Sequence, residues 1–461
     1  MKKFLLTIAL LTGVSAFAQN PIIKGLFSAD PTARIFNGKI YVYPSHDIPA
    51  PDDYDRKDWF CMEDYHVFST EDMINYTDHG MILHQDNVEW VAPKSYSMWA
   101  PDCIEKDGKY YFFFPANVKG GRGFGIGVAV ADSPTGPFVP RTENIEGING
   151  IDPCVLQGYD GKWYIYWGGV SGAEIVNDFT ALAEDTPKSE MKFGDRVFTR
   201  VGADLAATLP PGQKEGPFAF KRNGKYYLTY PWVRGKKGEM SPFGTPWENP
   251  TEVLAYAMSD NPLGPFEYKG IIMKEHANSC WTNHHSIIEK DGQWYLFYHH
   301  NDYSPEFDKN RSVCCDSLFF NEDGTIKEVI PTLRGVGVTK ATSKIDIDRY
   351  TSISGATIDY LNKQNYFEGW KTIFANKGDK VVYNTVDFGT GVKEITLRAN
   401  VAKNAKLTVL ADGVKVATVA LKGLGMWSEQ SFKVNANVKG VHHLSVALED
   451  GAGEVDWISF K

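Results

Sequence analysis

The sequence of 461 residues predicts an all-β protein, a five-bladed β-propeller followed by a β-sandwich of the jelly-roll type. Three observations predict this fold. One hairpin motif recurs five times, a second stretch of alternating strands follows the last copy, and the chain is too long for one ordinary core. With 43% hydrophobic and 13% aromatic residues, the chain has enough apolar side chains to bury two cores.

The recurring hairpin places Asn-Gly or Asp-Gly before a strand-like run. Its five copies read FNGKIYVY, KDGKYYFFF, YDGKWYIYW, RNGKYYLTY and KDGQWYLFY. These dipeptides are preferred in two-residue type I′ turns because both positions need positive φ, and the aromatic residues that follow favour strands. Strands of an ordinary sandwich recur at shorter spacing. The pattern therefore favours a propeller of five blades over residues 20–341.

The remainder of the chain, residues 346–461, shows a second strand pattern. It contains VDFGTGVKEITLRANV, AKLTVLADGVKVATVAL and EVDWISFK. Apolar and polar residues alternate, and turns come every 8–12 residues. This spacing predicts a β-sandwich.

The first 18 residues have the pattern of a secretory signal peptide. Two lysines precede a short apolar stretch, and Ala16-Phe17-Ala18 forms a small-x-small cleavage site. We expect export to the periplasm or the extracellular space. No later stretch reaches the length of a membrane span. The formal net charge of −9, without a basic run, excludes a nucleic-acid or anionic-membrane partner. The oligomeric state stays open.

Six cysteines are present, and their spacing forms no metal-binding motif. Export permits disulfides. The burial habit of free cysteine favours small apolar core residues instead. Two irregular insertions, 48–61 and 234–250, are rich in proline and charge and are expected to be surface loops.

Carboxylates recur at one position of the repeat. Asp30, Asp152 and Glu215 lie eight or nine residues before their turn glycines, and His284 lies eight before Gly292. In the second copy the carboxylate is Asp102, six residues before Gly108. Equivalent positions on the innermost strands face one channel, so these groups are expected to converge.

Two readings fit such a cluster of acids. One is a polar, water-filled channel whose acids are satisfied, with or without an ion. The other is a glycosidase, in which one carboxyl group protonates the leaving oxygen and a second activates water or attacks carbon. An apolar setting and neighbouring carboxylates raise the pKa of a glutamate, which suits Glu215 to the acid role. Asp30 would then be the ionised partner.

Five motifs, ADPTA, WAPD, IDPCVL, EGPF and NHHS, occur in this order, and as a set they resemble glycoside hydrolase family 43. The resemblance covers residues 20–341. It implies a five-bladed propeller and inversion of anomeric configuration. It further implies that Asp30 is the general base, that Glu215 is the general acid, and that Asp152 orients the acid and raises its pKa.

The resemblance also implies several binding residues. Arg311 would contact the sugar, with a surface arginine as the alternative, and a planar guanidinium suits paired hydroxyls. Trp99 and Asp102 would line the pocket, although Trp99 fits a core position equally well. His284 would lie at the sugar and beside a calcium ion in the channel, with His285 as a second candidate for the ion. No organic cofactor is implied.

The C-terminal segment resembles a carbohydrate-binding module of family 6. The resemblance rests on GMWSEQSF, NVKGVHHLSVAL and EVDWISF. Trp427 stands where that family often has a stacking aromatic residue. Glu454 stands where the family usually has a ligand-binding asparagine, so a purely structural sandwich is as well favoured as a sugar-binding one. A structural calcium ion is implied, without assigned ligands.

Together these features predict a secreted, inverting exo-glycosidase with an oligosaccharide or polysaccharide substrate. We expect release of α-L-arabinofuranosyl units from plant cell-wall glycans, namely the side chains of arabinoxylan, arabinan or arabinogalactan. A β-D-xylosidase is the close alternative, and galactan-active members of the family exist. A non-catalytic glycan-binding propeller is the alternative of another class. A retaining, fructan-cleaving propeller is disfavoured because SADPTA replaces its Asn-Asp-Pro-Asn-Gly start.

Overall fold

The computed structural model describes residues 19–121, 123–193, 196–235, 237–240, 252–275, 280 and 282–461. These form two compact units. One comprises residues 19–336 and 362–369, and the other comprises residues 337–361 and 370–461. The division differs from the predicted boundaries by a few residues and by the segment 362–369. The predicted signal peptide lies outside the described residues, as does most of the 234–250 loop.

The described part of the first unit contains five antiparallel sheets of three or more strands, in chain order, and one separate two-stranded hairpin. The first two have four strands each, in the order of the chain. Their strands are β1 (Phe27–Phe36), β2 (Lys39–Asp47), β3 (Asp64–Thr70), β4 (Thr77–His84), β5 (Asp102–Lys106), β6 (Lys109–Asn117), β7 (Phe124–Ala131) and β8 (Val139–Pro140).

The third and fourth sheets carry additional short strands. In the third sheet the strand order is β9-β10-β11-β14. Between β11 and β14 the chain forms a separate hairpin of β12 and β13. In the fourth, β15 and β16 both pair with β17, and β18 and β19 follow. The bounds are β9 (Cys154–Gln157), β10 (Trp163–Trp167), β11 (Ser171–Ile175), β12 (Lys188–Phe193), β13 (Arg196–Val201), β14 (Ala203–Asp204), β15 (Gln213–Lys214), β16 (Phe218–Arg222), β17 (Lys225–Val233), β18 (Glu252–Ser259) and β19 (Glu267–Met273).

The fifth sheet has three described strands, β20 (His285–Lys290), β21 (Gln293–His300) and β22 (Ser312–Leu318). The N-terminal segment attaches to it, because the backbone N–H of Ile22 donates to the carbonyl of Val313 at 2.8 Å. Three short 3₁₀ turns complete the described elements, at Gln85–Asn87, Leu205–Thr208 and Tyr366–Glu368.

Four of the five predicted hairpin turns have the expected backbone. Both turn residues have positive φ in Asn37-Gly38, Asp107-Gly108, Asn223-Gly224 and Asp291-Gly292. These values are those of type I′ turns.

The prediction of a two-residue turn is wrong for the third copy. There a five-residue loop, 158–162, separates β9 from β10, and of Asp160 and Gly161 only the glycine has positive φ. The Asp160 carboxylate accepts hydrogen bonds from the Lys162 backbone N–H and from the Tyr164 hydroxyl. These contacts hold the longer loop in place of the tight turn.

β1, β5, β9, β16 and β20 each come from a different sheet, and each lies beside two of the other four. β1 contacts β5 and β20, β9 contacts β5 and β16, and β16 contacts β20. Side chains connect neighbouring strands: Arg34 on β1 binds Asp102 on β5, and the Asp102 carboxylate also accepts from the Val155 backbone N–H on β9. This arrangement brings side chains far apart in the chain to one place.

The second unit is a β-sandwich, as predicted. Its two sheets run in the orders β23-β28-β33-β30-β31, with β25 beside β28, and β26-β27-β34-β29-β32, with β24 beside β34. Leucine, valine, isoleucine and phenylalanine side chains form one core. The strands are β23 (Thr339–Lys340), β24 (Ile345–Asp346), β25 (Ser352–Ser354), β26 (Thr357–Tyr360), β27 (Trp370–Phe374), β28 (Lys380–Asp387), β29 (Glu394–Asn400), β30 (Ala405–Ala411), β31 (Val414–Leu421), β32 (Trp427–Lys433), β33 (Val441–Asp450) and β34 (Gly453–Phe460).

All six cysteines are buried and none forms a disulfide with another, which agrees with their predicted role as core residues. Among the described residues, no helix has the length and apolar character that crossing a membrane requires.

Candidate active site

One pocket of the first unit brings together the three predicted catalytic carboxylates. Its empty volume, counted out to the open solvent, is about 550 Å³. Asp30 comes from the first sheet, Asp152 precedes the third and Glu215 stands between β15 and β16. The full lining is Asp30, Trp59, Phe60, Met62, Trp99, Ala100, Ile151, Asp152, Glu215, Thr282, Asn283, His284 and Arg311.

The backbone at Asp30 and at Asp152 departs from the extended conformation of a regular β-strand. Asp30 and Asp152 have positive φ, at 49° and 58°, and each precedes a proline. In β1 the register with β2 shifts between Ala29 and Thr32, which marks a bulge around Asp30. Positive φ is uncommon for residues other than glycine and often occurs at functional sites. The position after Glu215 is Gly216, with a φ of 51°.

Asp30 is held as an ionised carboxylate. Burial alone would raise its pKa, but the Arg311 guanidinium, together with His299, His284 and the Ser45 hydroxyl, lowers it to about 2. Arg311 Nη1 donates to Oδ1 at 2.8 Å, and the Ser45 hydroxyl donates to Oδ2 at 2.7 Å. At neutral pH this group is a proton acceptor.

Glu215 and Asp152 have the opposite electrostatic character. Burial, and then the negative charge of Asp30, raises the pKa of Glu215. Burial, and then the charges of Glu215 and Asp30, raises the pKa of Asp152 well above its usual value. Asp152 Oδ2 accepts a hydrogen bond from the Gly216 backbone N–H at 3.1 Å, next to Glu215. The pocket therefore holds one carboxyl group with a lowered pKa and two with raised pKa values.

Arg311 is buried, and it bridges two carboxylates. Besides Asp30 it binds Asp47, through Nη2 to Oδ1 at 2.9 Å and through Nε to Oδ2 at 3.0 Å. The Arg311 backbone N–H also donates to Asp47 Oδ2 at 2.8 Å. The predicted alternative of a surface arginine is therefore wrong, because the side chain is only 3% exposed.

Asp102 does not line the pocket. It is fully buried, and its carboxylate accepts from Arg34 and from the backbone N–H groups of Cys103 and Val155. We therefore expect it to hold neighbouring strands together and not to contact sugar. The repeat register explains the difference: the residues nine and eight before Gly108 are Trp99 and Ala100, and these two line the pocket.

Three histidines surround the carboxylates. His284 lines the pocket, with Nδ1 4.0 Å from Asp30 Oδ1, and burial lowers its pKa. His299 Nδ1 accepts from the Asp30 backbone N–H at 2.9 Å, and burial lowers the pKa of His299 to about 3, so this ring is neutral. His285 shares a 2.5 Å hydrogen bond between Nε2 and the Thr229 hydroxyl.

Several pocket residues were missed by sequence reasoning. Trp59 and Phe60 belong to the irregular loop 48–61, and their rings form part of the pocket wall. Two adjacent aromatic residues inside a charged, proline-rich loop were the available signal. Glu252, buried next to Glu215, gave none, because it is simply the first residue of an ordinary strand, β18.

Each unit contains buried polar atoms that fit a calcium ion to a different degree. In the first unit, His285 Nδ1 is buried and has no hydrogen-bond partner among the described residues. Its Nε2 faces a hydroxyl that itself donates to the Phe218 carbonyl, so Nδ1 carries the free lone pair. One nitrogen, with water filling the other positions, fits a calcium ion only in part, because calcium prefers oxygen.

The fit is better in the sandwich. Asp348 is 1% exposed, and neither of its carboxylate oxygens accepts a hydrogen bond from the described residues. Among the residues that the structure describes, the cation paired with it is Arg349, with Nε 3.5 Å from Oδ2. Burial, and then the nearby Asp346 carboxylate, raises the pKa of Asp348 well above its usual value. An oxygen-binding cation would compensate this buried charge.

The two predicted sugar-binding positions of the sandwich already have partners. The Arg398 guanidinium lies 4.9 Å from the centre of the Trp427 ring. Glu454 accepts from Lys371 Nζ at 2.7 Å and from Asn400 Nδ2 at 3.1 Å. An asparagine would not form the ion pair with Lys371, so Glu454 places a charged, paired side chain where the family usually has a neutral one.

Comparison with known proteins identifies both units. Residues 18–326 match the model "Glycosyl hydrolases family 43", and residues 348–461 match "Carbohydrate binding module (family 6)". A xylosidase/arabinosidase 43A of Humicola insolens is 35% identical over 66% of this chain and 98% of its own. A β-xylosidase of Xylanibacter ruminicola is 36% identical over 66% of this chain and 97% of its own.

A solved structure of a family 43 enzyme is also similar to this chain. It is a β-xylosidase/α-arabinofuranosidase from a compost microbial metagenome, described as a calcium-free form in complex with xylotriose. It is 33% identical to this chain, with a TM-score of 0.54, and the match covers 68% of this chain and 98% of that one.

Proposed function

This chain belongs to glycosyl hydrolase family 43, and from that premise we propose a secreted, exo-acting, inverting glycosidase. In this proposal the enzyme releases terminal α-L-arabinofuranosyl units from plant cell-wall glycans, such as the side chains of arabinoxylan, arabinan or arabinogalactan. The family makes the chain a β-propeller glycoside hydrolase, which excludes the non-catalytic alternative. Linkage, sugar and stereochemistry are the proposed part.

One observation carries the assignment of roles. Two carboxyl groups of one pocket have pKa values shifted in opposite directions: Arg311 lowers the pKa of Asp30, whereas burial and then the charge of Asp30 raise the pKa of Glu215. Inverting glycosidases need such a pair, a general base and a general acid on either side of the scissile bond. General acid–base assistance contributes about 10²–10⁴ in rate.

The reaction then proceeds in one displacement. Asp30 accepts a proton from a water molecule while the water oxygen attacks the anomeric carbon. The bond from that carbon to the leaving oxygen breaks, and Glu215 transfers its proton to this oxygen. Asp152 accepts a hydrogen bond from the Gly216 backbone N–H and so holds the segment that carries the acid. Trp59, Phe60 and Trp99 supply flat apolar walls against which a sugar ring can pack.

We infer five blades for the propeller. The support is that each of the five first strands contacts two others, β1 with β5 and β20, β9 with β5 and β16, and β16 with β20. Residues at one end of these strands then face one axis, where the pocket lies. Export through residues 1–18 belongs to the same proposal, since a polysaccharide substrate is met outside the cytoplasm.

A β-D-xylosidase is the second candidate. Its support is the naming of relatives: one is a xylosidase/arabinosidase, one a β-xylosidase, and the solved structure of a β-xylosidase/α-arabinofuranosidase holds xylotriose. Both sugars are pentoses with similar geometry around the ring, so one pocket of this size can accept either.

Calcium is proposed as an accessory ion and not as a reactant. Asp348 would hold it in the sandwich, and His285 Nδ1 together with water would hold it in the first unit. A cation there would compensate buried negative charge and stabilise the fold. Each residue fits this role through an unsatisfied, buried ligand atom.

A panel of aryl glycosides tests the proposal. We expect turnover of an aryl α-L-arabinofuranoside, and the ratio of kcat/KM against aryl β-D-xyloside and β-D-galactoside ranks the sugars. NMR during early hydrolysis should show the β-anomer of arabinose from an α-linked substrate. An α product would contradict inversion, and the absence of turnover on every pentoside would overturn the assignment of substrate class.

A further inference from the structure

Three polar side chains converge on one face of the first sheet, outside the pocket. His46 lies on β2, and Asp64 and His66 lie on β3. These strands are antiparallel with Ser45 opposite Tyr65, so His46 stands opposite Asp64. Asp64 and His66 are two residues apart and share a face, because side chains alternate along a strand and Tyr65 between them is fully buried. The register therefore makes the three side chains neighbours.

The side-chain contacts agree with this placement. His46 Nδ1 is 2.7 Å from Asp64 Oδ1, and the ring centres of His46 and His66 are 5.2 Å apart. A nitrogen of each histidine and an oxygen of Asp64 all lie within 4.8 Å of one another. Nitrogen and oxygen ligands stand about 2.0–2.2 Å from a zinc ion, so modest rotations of the side chains bring the three atoms onto one ion.

The chemistry of these three atoms favours a transition-metal ion over calcium. Two imidazole nitrogens and one carboxylate oxygen suit zinc and its neighbours in the first transition row, whereas calcium prefers oxygen alone. The side chains of His46, Asp64 and His66 are between 14% and 20% exposed. An ion can therefore reach them from solvent, and water can complete its coordination.

A second carboxylate orients one of the histidines. Asp78 on β4 has Oδ1 3.2 Å from His66 Nδ1. The same oxygen accepts from the Gly80 backbone N–H at 2.7 Å, which fixes its position. When His66 Nδ1–H donates to Asp78, His66 Nε2 keeps the lone pair that a metal ion needs. Histidines that bind metals commonly have such a carboxylate partner on the other ring nitrogen.

We propose that His46, Asp64 and His66 form a binding site for a divalent transition-metal ion of the zinc class. The ion connects β2 to β3 beside Ser45, whose hydroxyl donates to Asp30 Oδ2. It thereby stabilises the strand that supports the proposed base, without contact to the substrate. The site is separate from the proposed reaction and does not depend on which sugar the enzyme releases.

Calorimetric titration with ZnCl₂ tests the site in the full chain, after a chelator has removed bound metals and has been dialysed away. We expect a binding event that His66→Gln and Asp64→Asn each remove. Asp78→Asn should weaken it by about 10–100-fold, because the orienting carboxylate is lost. His79→Gln changes an exposed histidine of the same sheet and should leave the affinity unchanged.

Two further measurements test the nature and the effect of the bound ion. Excess CaCl₂ should not displace zinc, because calcium binds imidazole poorly. At a zinc concentration about 100-fold above the dissociation constant, the melting temperature of the first unit should rise by about 4 °C. His66→Gln and Asp64→Asn should lose this rise, and His79→Gln should keep it.

Each result decides for or against the site. If His66→Gln does not fold, as judged by near-ultraviolet circular dichroism, Asp64→Asn and Asp78→Asn carry the test. Displacement by calcium would contradict the proposed ligands. The proposal is overturned if the wild-type chain binds no zinc, or if folded Asp64→Asn and His66→Gln bind it as the wild type does. The three side chains would then form only a hydrogen-bonded group at the surface.

Discussion

Arg311 binds both oxygens of Asp30, with Nη1 2.8 Å from Oδ1 and Nη2 3.2 Å from Oδ2. The arginine is itself held by Asp47, so the position of the proposed base depends on residues from three segments of the chain. An ion pair buried to this extent is costly to break because it leaves an unpaired charge. It also fixes the protonation state on which the proposed reaction depends.

The role of Asp30 as base predicts the effect of Asp30→Asn. We expect kcat to fall by about 10³ or more on every substrate, since no other ionised carboxylate can take the proton from water. Arg311 keeps its bonds to Asp47, so the fold should persist, as measured by near-ultraviolet circular dichroism. Asp132→Asn, an exposed change in the same unit, serves as the control. Retained activity on an aryl glycoside would refute the assignment.

The acid role of Glu215 predicts a dependence on the leaving group. Glu215→Gln should reduce kcat by about 10²–10⁴ on oligosaccharides, whose leaving oxygen needs a proton. The loss should be much smaller on nitrophenyl glycosides, because nitrophenolate leaves without protonation. The measurement is kcat for both substrate classes at one pH. Glu143→Gln, which changes an exposed glutamate of the same unit, is the control. Equal losses on the two classes would speak against proton donation.

The electrostatics of the pocket predict the pH profile. Activity requires Asp30 ionised and Glu215 protonated. The pKa of Asp30 is about 2, so the acid limb of kcat/KM should lie well below pH 4. The alkaline limb should lie above the usual pKa of glutamate, because burial raises the pKa of Glu215.

Arg311→Met tests the cause of the acid limb. Removing the guanidinium raises the pKa of Asp30, so the limb should move to higher pH by about one unit or more. Arg222→Met, a change outside the pocket, should leave both limbs in place. A profile of Arg311→Met with the wild-type acid limb would show that Arg311 does not set the state of Asp30.

Sequence reasoning predicted the convergence of Asp30, Asp152 and Glu215 because the hairpin repeat supplies a common register. The same register failed for Asp102, where the nearest acid was chosen although Trp99 and Ala100 occupy the equivalent positions. Spacing in the sequence shows which positions of the repeated strands are equivalent. It does not report which way a side chain points when a bulge or a positive φ changes the register.

Other parts of the site depend on contacts that have no local pattern. Glu252 and Asp47 stand at strand ends, and their partners, Glu215 and Arg311, lie far away in the chain. Trp59 and Phe60 reach the pocket from a loop whose path is set by tertiary packing. A longer loop at Asp160 takes the place of the predicted tight turn. It is held by the hydrogen bond that the Asp160 side chain accepts from the Lys162 backbone N–H.

The buried carboxylate of Asp348 predicts that calcium stabilises the sandwich. Chelation with EDTA should lower the melting temperature of this unit, and added calcium should restore it, because binding to the folded state alone stabilises it. Asp348→Asn should abolish the calcium-dependent shift, whereas Asp450→Asn, an exposed change in the same unit, should preserve it. Differential scanning calorimetry measures both. Equal calcium dependence in Asp348→Asn would show that this residue is not a ligand.

The Asp152 carboxyl group should lower the free energy of unfolding at neutral pH. Its pKa in the folded protein is raised well above the usual 3.8, mainly by burial and then by Glu215. Protonation therefore favours the folded state, and this contribution is lost as the pH rises above 3.8 and through the folded-state pKa. Asp152→Asn removes the charge, and its amide oxygen can still accept from the Gly216 N–H. One pKa unit corresponds to about 1.4 kcal/mol.

We therefore expect Asp152→Asn to melt at a temperature higher by about 2–4 °C at pH 7, with the difference disappearing near pH 4. Melting curves at both pH values test the sign, and Asp132→Asn is the matched surface control. A lower melting temperature at pH 7 would mean that the ionised carboxylate stabilises the folded state, contrary to its raised pKa.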